Sequence, residues 1–275
     1  MLPLLSLALL LGFSSRGVAQ SLDWQLGAQS WTFRMFTFEQ ALDKIDSCGM
    51  KYVEAFPGQT IGGGIPGTMD YHMDRATEKR VLAMVKKHGL RLVSFGVVVP
   101  KSSSEWPLLF KFAHDMGLEN IVSEPKESDI PQISKLCDKY KINLAIHDHP
   151  RPSHYWNPSI VLAAIKGASP RVGACADIGH WTRSGLNPVV CLRQLQGHIK
   201  ELHFKDLNEK SPKAHDVPWG TGVNDIPAVM KELKRQHFSG PVMAEYEYNW
   251  YNSVPDVTKC AKYFRMEERK LGVHP

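Results

Sequence analysis

The sequence predicts an α/β fold of the (β/α)8 TIM-barrel type, and three observations carry that prediction. First, a phrase recurs in which an amphipathic helix ends at Gly and a short apolar strand begins a few residues later. It occurs at Cys48-Gly49-Met50, at His88-Gly89-Leu90 and at Met116-Gly117-Leu118. Gly there takes the left-handed conformation that ends a helix and turns the chain toward a sheet. Second, eight segments suit strands, at residues 26–31, 52–56, 92–98, 120–123, 143–147, 172–177, 200–204 and 242–246. Third, apolar residues at helical spacing fill the gaps, among them Leu42 and Ile45, Val81 and Val85, Ile133 and Cys137, Leu192 and Leu195, Val229 and Leu233. Such alternation calls for a parallel sheet covered by helices. Eight units in a chain of 275 residues fit a closed barrel better than an open doubly wound sheet. No Gly-rich nucleotide fingerprint follows the first strand, which weakens a dinucleotide-binding reading.

The barrel is assigned to residues 20–275. Residues 1–19 read as a signal peptide, because the apolar run from Leu2 to Phe13 is too short to span a bilayer and small residues at Gly17 and Ala19 suit cleavage. Arg16 is the only charged side chain that cleavage would remove. The expectation is a secreted or periplasmic protein with no membrane span after cleavage. Five scattered cysteines, Cys48, Cys137, Cys175, Cys191 and Cys260, show no zinc-ribbon spacing, and their odd number leaves at least one thiol unpaired. They are expected as buried free thiols. A net charge of +5, dispersed along the chain, argues against a nucleic-acid partner.

Chemistry is concentrated at the carboxyl ends of the predicted strands. Glu54 lies near the end of the second, Glu124 follows the fourth, and His147 ends the fifth with His149 beyond it. Asp177 ends the sixth with His180 three residues on, His203 lies on the seventh, and Glu245 on the eighth. A core-facing carboxylate is costly unless it is paired or bound to a cation. Several at one rim favour a shared cation, and the mixture of imidazole and carboxylate suits a transition-type divalent ion rather than Ca²⁺. Lys126 and Arg75 are alternative partners for Glu54 and Glu124. Long loops after the second and seventh strands, residues 57–71 and 207–225, place extra chain at the functional mouth. The first of these, with Gly62-Gly63-Gly64, reads as a mobile lid.

With these residues in place, the chain resembles the xylose-isomerase-like TIM-barrel superfamily, over essentially its whole mature length. The resemblance rests on Ala176-Asp177-Ile178-Gly179-His180, Glu201-Leu202-His203-Phe204-Lys205-Asp206, Pro218-Trp219-Gly220-Thr221-Gly222 and Glu245. It implies a sugar isomerase or epimerase in which one divalent metal (Mn²⁺, Zn²⁺, Co²⁺ or Mg²⁺) assists proton abstraction beside a carbonyl through an enediolate. Asp177, His203 and Glu245 match three of the family's ligands. The fourth does not match, since His147 stands where Glu is typical, so either His147 or Glu124 completes the set. Glu245, His147 and Glu124 are the candidate catalytic groups. His180, Glu54, Lys205, Trp219, His149 and His215 are expected at the substrate, a small carbohydrate, with Trp31, Phe56 and Trp250 as further apolar walls.

Replacing a carboxylate by His147 makes two-base epimerisation less secure, so a lyase or dehydratase acting on a 3-keto sugar or keto-glycoside is the alternative. An endonuclease IV-like hydrolase is disfavoured because His215-Asp216-Val217 replaces the Asp-x-His pair it needs. A sugar-binding barrel without turnover and a homo-oligomer are both compatible with the sequence. Without an evident anion cradle, a free or glycosidic sugar is favoured over a sugar phosphate.

Overall fold

The computed structural model describes residues 22–273, so the leader expected over residues 1–19 lies outside the described residues. Eight parallel strands close a barrel: β1 (Trp24–Gln29), β2 (Tyr52–Ala55), β5 (Arg91–Phe95), β6 (Asn120–Ser123), β7 (Asn143–His147), β8 (Val172–Asp177), β9 (Ile199–Phe204) and β10 (Gly240–Ala244). Their order around the barrel is β1-β10-β9-β8-β7-β6-β5-β2, and β1 pairs with both β10 and β2 to close the ring. Helices α1 (Phe38–Ser47), α2 (Arg75–Lys87), α3 (Trp106–Asp115), α4 (Ile130–Tyr140), α5 (Pro158–Ala164), α6 (Ile178–Arg183), α7 (Pro188–Gln194), α8 (Ile226–Arg235) and α9 (Val254–Lys270) lie between or after the strands. No helix among the described residues is long and apolar enough to cross a membrane. All five cysteines are buried free thiols.

The local signals explain the elements. Thr37 and Gln40 form a reciprocal capping box at the start of α1, and Gly49 beyond its end has a φ of +77°. Four strands end earlier than expected, β2 stopping at Ala55 and β5 at Phe95. Residues 30–33 form a 3-10 turn rather than continuing β1, and β10 stops at Ala244, so Glu245 stands just beyond the sheet. The loop expected as a mobile lid instead holds an antiparallel hairpin, β3 (Thr60–Gly62) and β4 (Ile65–Thr68). Buried Ile61, Ile65 and Met69 fasten it to the body of the protein.

Two layers of packing follow from the period-two alternation of strand side chains. The outward set joins the helices in one large apolar core, to which Trp24, Phe204 and Phe264 belong. Val122, Ala145 and Cys175 form a separate small apolar cluster. Below the mouth the interior is polar: Ser94 and Asn120 donate to the Glu201 carboxylate at 2.7 and 2.9 Å. Thr32 ties the ends of β1 and β10 together, donating to the Ala244 carbonyl at 3.1 Å and accepting from the Tyr246 N–H at 2.9 Å. Thr32→Val removes both bonds without changing shape and should lower the unfolding free energy by about 2 kcal/mol, because two buried backbone groups lose their partner. Urea denaturation reads this directly, and an unchanged midpoint would show that the mouth is held elsewhere.

Candidate active site

β9 and its extension set the site. Glu201, His203 and Lys205 alternate onto the inner face, so one strand delivers an acid, an imidazole and an ammonium in ascending order along the barrel. All three are buried. The neighbouring Asp177 caps α6, with Oδ1 accepting from the N–H groups of Gly179 and His180 at 2.9 and 2.8 Å. Capping engages one oxygen and turns the other, Oδ2, to the interior.

The interior-facing donors converge. His147 Nε2 is 3.1 Å from His203 Nδ1 and 3.7 Å from Asp177 Oδ2, and His203 Nδ1 is 3.2 Å from Glu245 Oε2. His203 Nε2 faces Glu54 Oε2 at 2.6 Å. With Nε2 engaged by that carboxylate, Nδ1 is the ring nitrogen that faces Glu245 and the centre. His147, Asp177, His180 and Glu245 also offer donor atoms within 4.8 Å of one another. Ligands about 2.0–2.2 Å from one divalent ion stand roughly 3.0–3.6 Å apart; the His147–His203 and His203–Glu245 spacings fall in that range and the His147–Asp177 spacing lies just beyond it. Burial pushes the Asp148 and Glu201 carboxyls well up and so favours their neutral forms. Glu54, Asp148, Asp177, Glu201, Asp216 and Glu245 are all buried, whereas Lys205 is the only fully buried cation of fixed charge among the described residues.

Lys205 is the cation that this structure places among them. Its Nζ lies 2.8 Å from Asp177 Oδ2, 2.5 Å from Glu245 Oε2 and 3.0 Å from Glu247 Oε2. Burial works against the charged forms of both partners, but their mutual attraction wins: Lys205 titrates well above, and Glu245 well below, the usual range for its type. Gly179 makes room for the lysine stem, since a Cβ there would come within 2.6 Å of Lys205 Cβ. Burial, Lys205 and His147 keep the His180 imidazole neutral against the pull of Asp177. Arg183 completes this side, reaching His180 Nδ1 at 3.1 Å and the Glu247 and Asp216 carboxylates at 3.0 Å each.

Glu124 lies on the other side of His147. Its Oε1 is 3.8 Å from His147 Nδ1 but 2.5 Å from His149 Nδ1, and its Oε2 accepts from Ser153 at 3.0 Å. Burial alone would raise the Glu124 carboxyl, but the imidazoles of His147 and His149 beside it outweigh this and hold it well below the usual carboxylate range. His149 is half exposed and, with Glu245 and Glu247, lines a cavity of about 260 Å³ closed on its other side by Gln29, Trp31, Phe56, Pro57 and Val97. Gln29 is fixed across the strand ends by donating to the Gly96 carbonyl at 2.7 Å.

Several expected substrate contacts fall elsewhere. Glu54 has no exposed surface and binds His203 from below. Trp219 is core, edge-on to Phe204 and Phe264. His215 stacks on Tyr248 at the rim, and Trp250 stacks on Arg34 rather than on the cavity. The Gly-x-Gly loop holds a protein carboxylate: Gly220 and Gly222 each donate to Asp206 Oδ2 at 2.9 Å, and Leu207 and Asn224 each donate to Oδ1 at 3.0 Å. Sequence reasoning passed over Glu247, Arg183 and Glu201. Two carried a readable signal, since Glu247 shares the strand face of Glu245 and Arg183 follows His180 by one helical turn.

The profile of the xylose isomerase-like TIM barrel matches residues 127–265. A putative uncharacterized protein of known structure from Parabacteroides distasonis is 34% identical, with 89% of this chain and 99% of that one covered and a TM-score of 0.74. The chain belongs to the xylose isomerase-like TIM barrel family. Two more distant structures share its fold. An L-ribulose 3-epimerase is 13% identical, with 90% of this chain and 97% of that one covered and a TM-score of 0.67. The probable 3-DHS dehydratase of Bacillus anthracis is 14% identical, with 89% and 99% covered and a TM-score of 0.66. No curated protein matches the chain.

Lys205→Met leaves Asp177 and Glu245 buried without their ammonium. In chelator-treated protein this should cost about 3–5 kcal/mol of unfolding free energy, measured by urea titration; wild-type stability would mean that the two carboxylates find another counter-charge.

Proposed function

We propose that this protein is a divalent-metal-dependent sugar isomerase or epimerase that removes a proton next to the carbonyl of a neutral carbohydrate. One observation carries the reading: Glu245, a member of the donor set, lines the same cavity as His149, whose ring is oriented by Glu124. His147, Asp177, His203 and Glu245 would hold the ion, whose Lewis acidity would make the C–H beside the substrate carbonyl easier to ionise.

The protein's own part is proton transfer and positioning. His149 is the group placed to accept a proton, since Glu124 holds Nδ1 and leaves Nε2 free, as in a carboxylate-oriented general base. Glu124 stays ionised and stabilises the charge that His149 acquires. Glu245 reaches the cavity from β10, three strands from β7 around the barrel, and can meet the substrate from a different direction. Glu247 lines the cavity and supplies a contact for hydroxyls, with the buried Lys205 holding it and Glu245 in place from below, while Trp31 and Phe56 offer faces for the C–H surface of a sugar ring.

A specific observation keeps a second reading, a lyase or dehydratase acting on a 3-keto sugar. Lys205 Nζ and His203 Nδ1 stand 2.5 and 3.2 Å from Glu245 Oε2 and engage that oxygen, whereas His149 is held through Nδ1 alone and faces the cavity. One base suffices for elimination, whereas epimerisation needs a proton returned to the opposite face.

The test is exchange of substrate C–H with solvent deuterium, followed by NMR with Mn²⁺ and a set of ketoses and 3-keto sugars. The reading expects exchange at the carbon beside the carbonyl, slowed about 10²-fold or more in His149→Gln. A rearranged or epimeric sugar as product supports the first reading, and an unsaturated ketone the second. Absence of exchange across the set, or a His149→Gln variant that exchanges at the wild-type rate, contradicts the assignment.

A further inference from the structure

One buried donor close to the candidate metal ligands has no part in the function proposed above. Cys175 is fully buried on β8, two residues before Asp177, and so lies on the same inward face one pleat deeper in the barrel. In the parallel register its partner on β7 is His147, and on β9 it is Glu201. His147, Cys175 and His203 each offer a donor atom within 4.8 Å of the others. Among the described residues Cys175 is the one cysteine in such a cluster. The two imidazoles already bring His147 Nε2 and His203 Nδ1 to 3.1 Å, about the separation of two ligands on one ion.

Charge separates this set from the carboxylates nearer the mouth. His147 also belongs with Asp177, His180 and Glu245, but Lys205 Nζ stands 2.8 Å from Asp177 Oδ2 and 2.5 Å from Glu245 Oε2. An ion held by those oxygens alone has to share them with an ammonium that repels it. The polar contacts of His147 and His203, by contrast, run to Glu54, Glu124, Asp177, Glu245 and each other. Sulfur is the further donor within their reach. A thiol that coordinates a divalent ion does so as thiolate and releases its proton to the solvent, which adds a negative charge outside the Lys205 pairs. Soft thiolate favours Zn²⁺ over Mg²⁺ and Mn²⁺, which prefer oxygen.

We propose that Cys175 is a sulfur ligand of the bound ion, held together with His147 and His203, and that it makes the site selective for Zn²⁺ over Mg²⁺ and Mn²⁺. This rests on the metal-dependent function proposed above and narrows its ion. Asp177 and Glu245 face the same ion from the mouth side, where the substrate enters, so the sulfur sets which ion is held and leaves the groups at the cavity free for substrate.

Co²⁺ is the probe, because its visible d–d bands report binding and a near-ultraviolet charge-transfer band reports a thiolate ligand. The full chain is stripped with chelator under reducing conditions and titrated with Co²⁺. The wild type should show both features. Cys175→Ser should keep the d–d bands, lose the charge-transfer band and lower the ratio of Zn²⁺ to Mg²⁺ affinity, read by calorimetry, by about 10-fold or more. X-ray absorption at the zinc edge of the loaded wild type needs no variant and should show one sulfur at about 2.3 Å beside nitrogen or oxygen at about 2.0–2.1 Å. The sulfur ligand is overturned if the charge-transfer band is missing from the wild type or survives Cys175→Ser, or if the zinc edge shows nitrogen and oxygen alone; Cys175 then only fills the barrel beside Val122 and Ala145. The d–d bands and deuterium exchange separate the claims. Bands without charge transfer remove the sulfur ligand and keep the metal site, no bands at all remove both, and charge transfer without exchange keeps the ligand and removes the proton-transfer function.

Discussion

The ion pairs of Lys205 with Asp177 and Glu245 are the constraint on which the rest of the mouth depends. A barrel of this size is ordinarily filled by layers of branched apolar side chains. Here the inner face of β9 presents Glu201, His203 and Lys205 instead, all buried. Each needs partners, and adjoining strands supply them: Ser94 and Asn120 for Glu201, Glu54 and Glu245 for His203, Asp177 and Glu245 for Lys205. Removing any one strands a charge or a dipole away from water. The network therefore fixes side-chain positions to a degree that an apolar filling would not.

That rigidity has a chemical use. Asp177 is held by the first turn of α6 and His203 by Glu54, so each has one atom committed to the scaffold and another facing the centre, while Glu124 is fixed through both oxygens by His149 and Ser153. A site with this division of labour requires little rearrangement when a cation and a substrate enter. Even the glycines serve it: Gly179 admits the Lys205 stem, and Gly222 lets the loop close on Asp206, where a Cβ would fall 2.3 Å from the carboxylate.

Much of this was legible in the sequence, for physical reasons that can be named. The Gly-terminated helices and apolar strands are local signals, and they located all eight barrel strands. Asp177, His203 and Glu245 could be grouped because a barrel brings the carboxyl ends of its strands together. What could not be read was which atoms meet. Glu54 was expected at the substrate because it ends a strand, yet it lies below His203, a matter of depth along the barrel axis rather than of face. Trp219 carried the composition of a sugar platform but packs into the helix layer. The loop with three consecutive glycines suggested mobility, whereas Ile61 and Met69 tie it down, and only tertiary packing decides between those outcomes. Glu124 and His149, two separate candidates in the sequence, are one unit in space.

The most direct test of the account is uptake of a divalent ion by the purified chain after chelation. Titration with Mn²⁺, followed by calorimetry and elemental analysis, should show one ion per chain, bound at least 10-fold more weakly by His147→Ala and by Asp177→Asn. Failure to bind Mn²⁺, Zn²⁺, Co²⁺ or Mg²⁺, or binding indifferent to both substitutions, would contradict it and leave Lys205 as the only cation these buried acids serve.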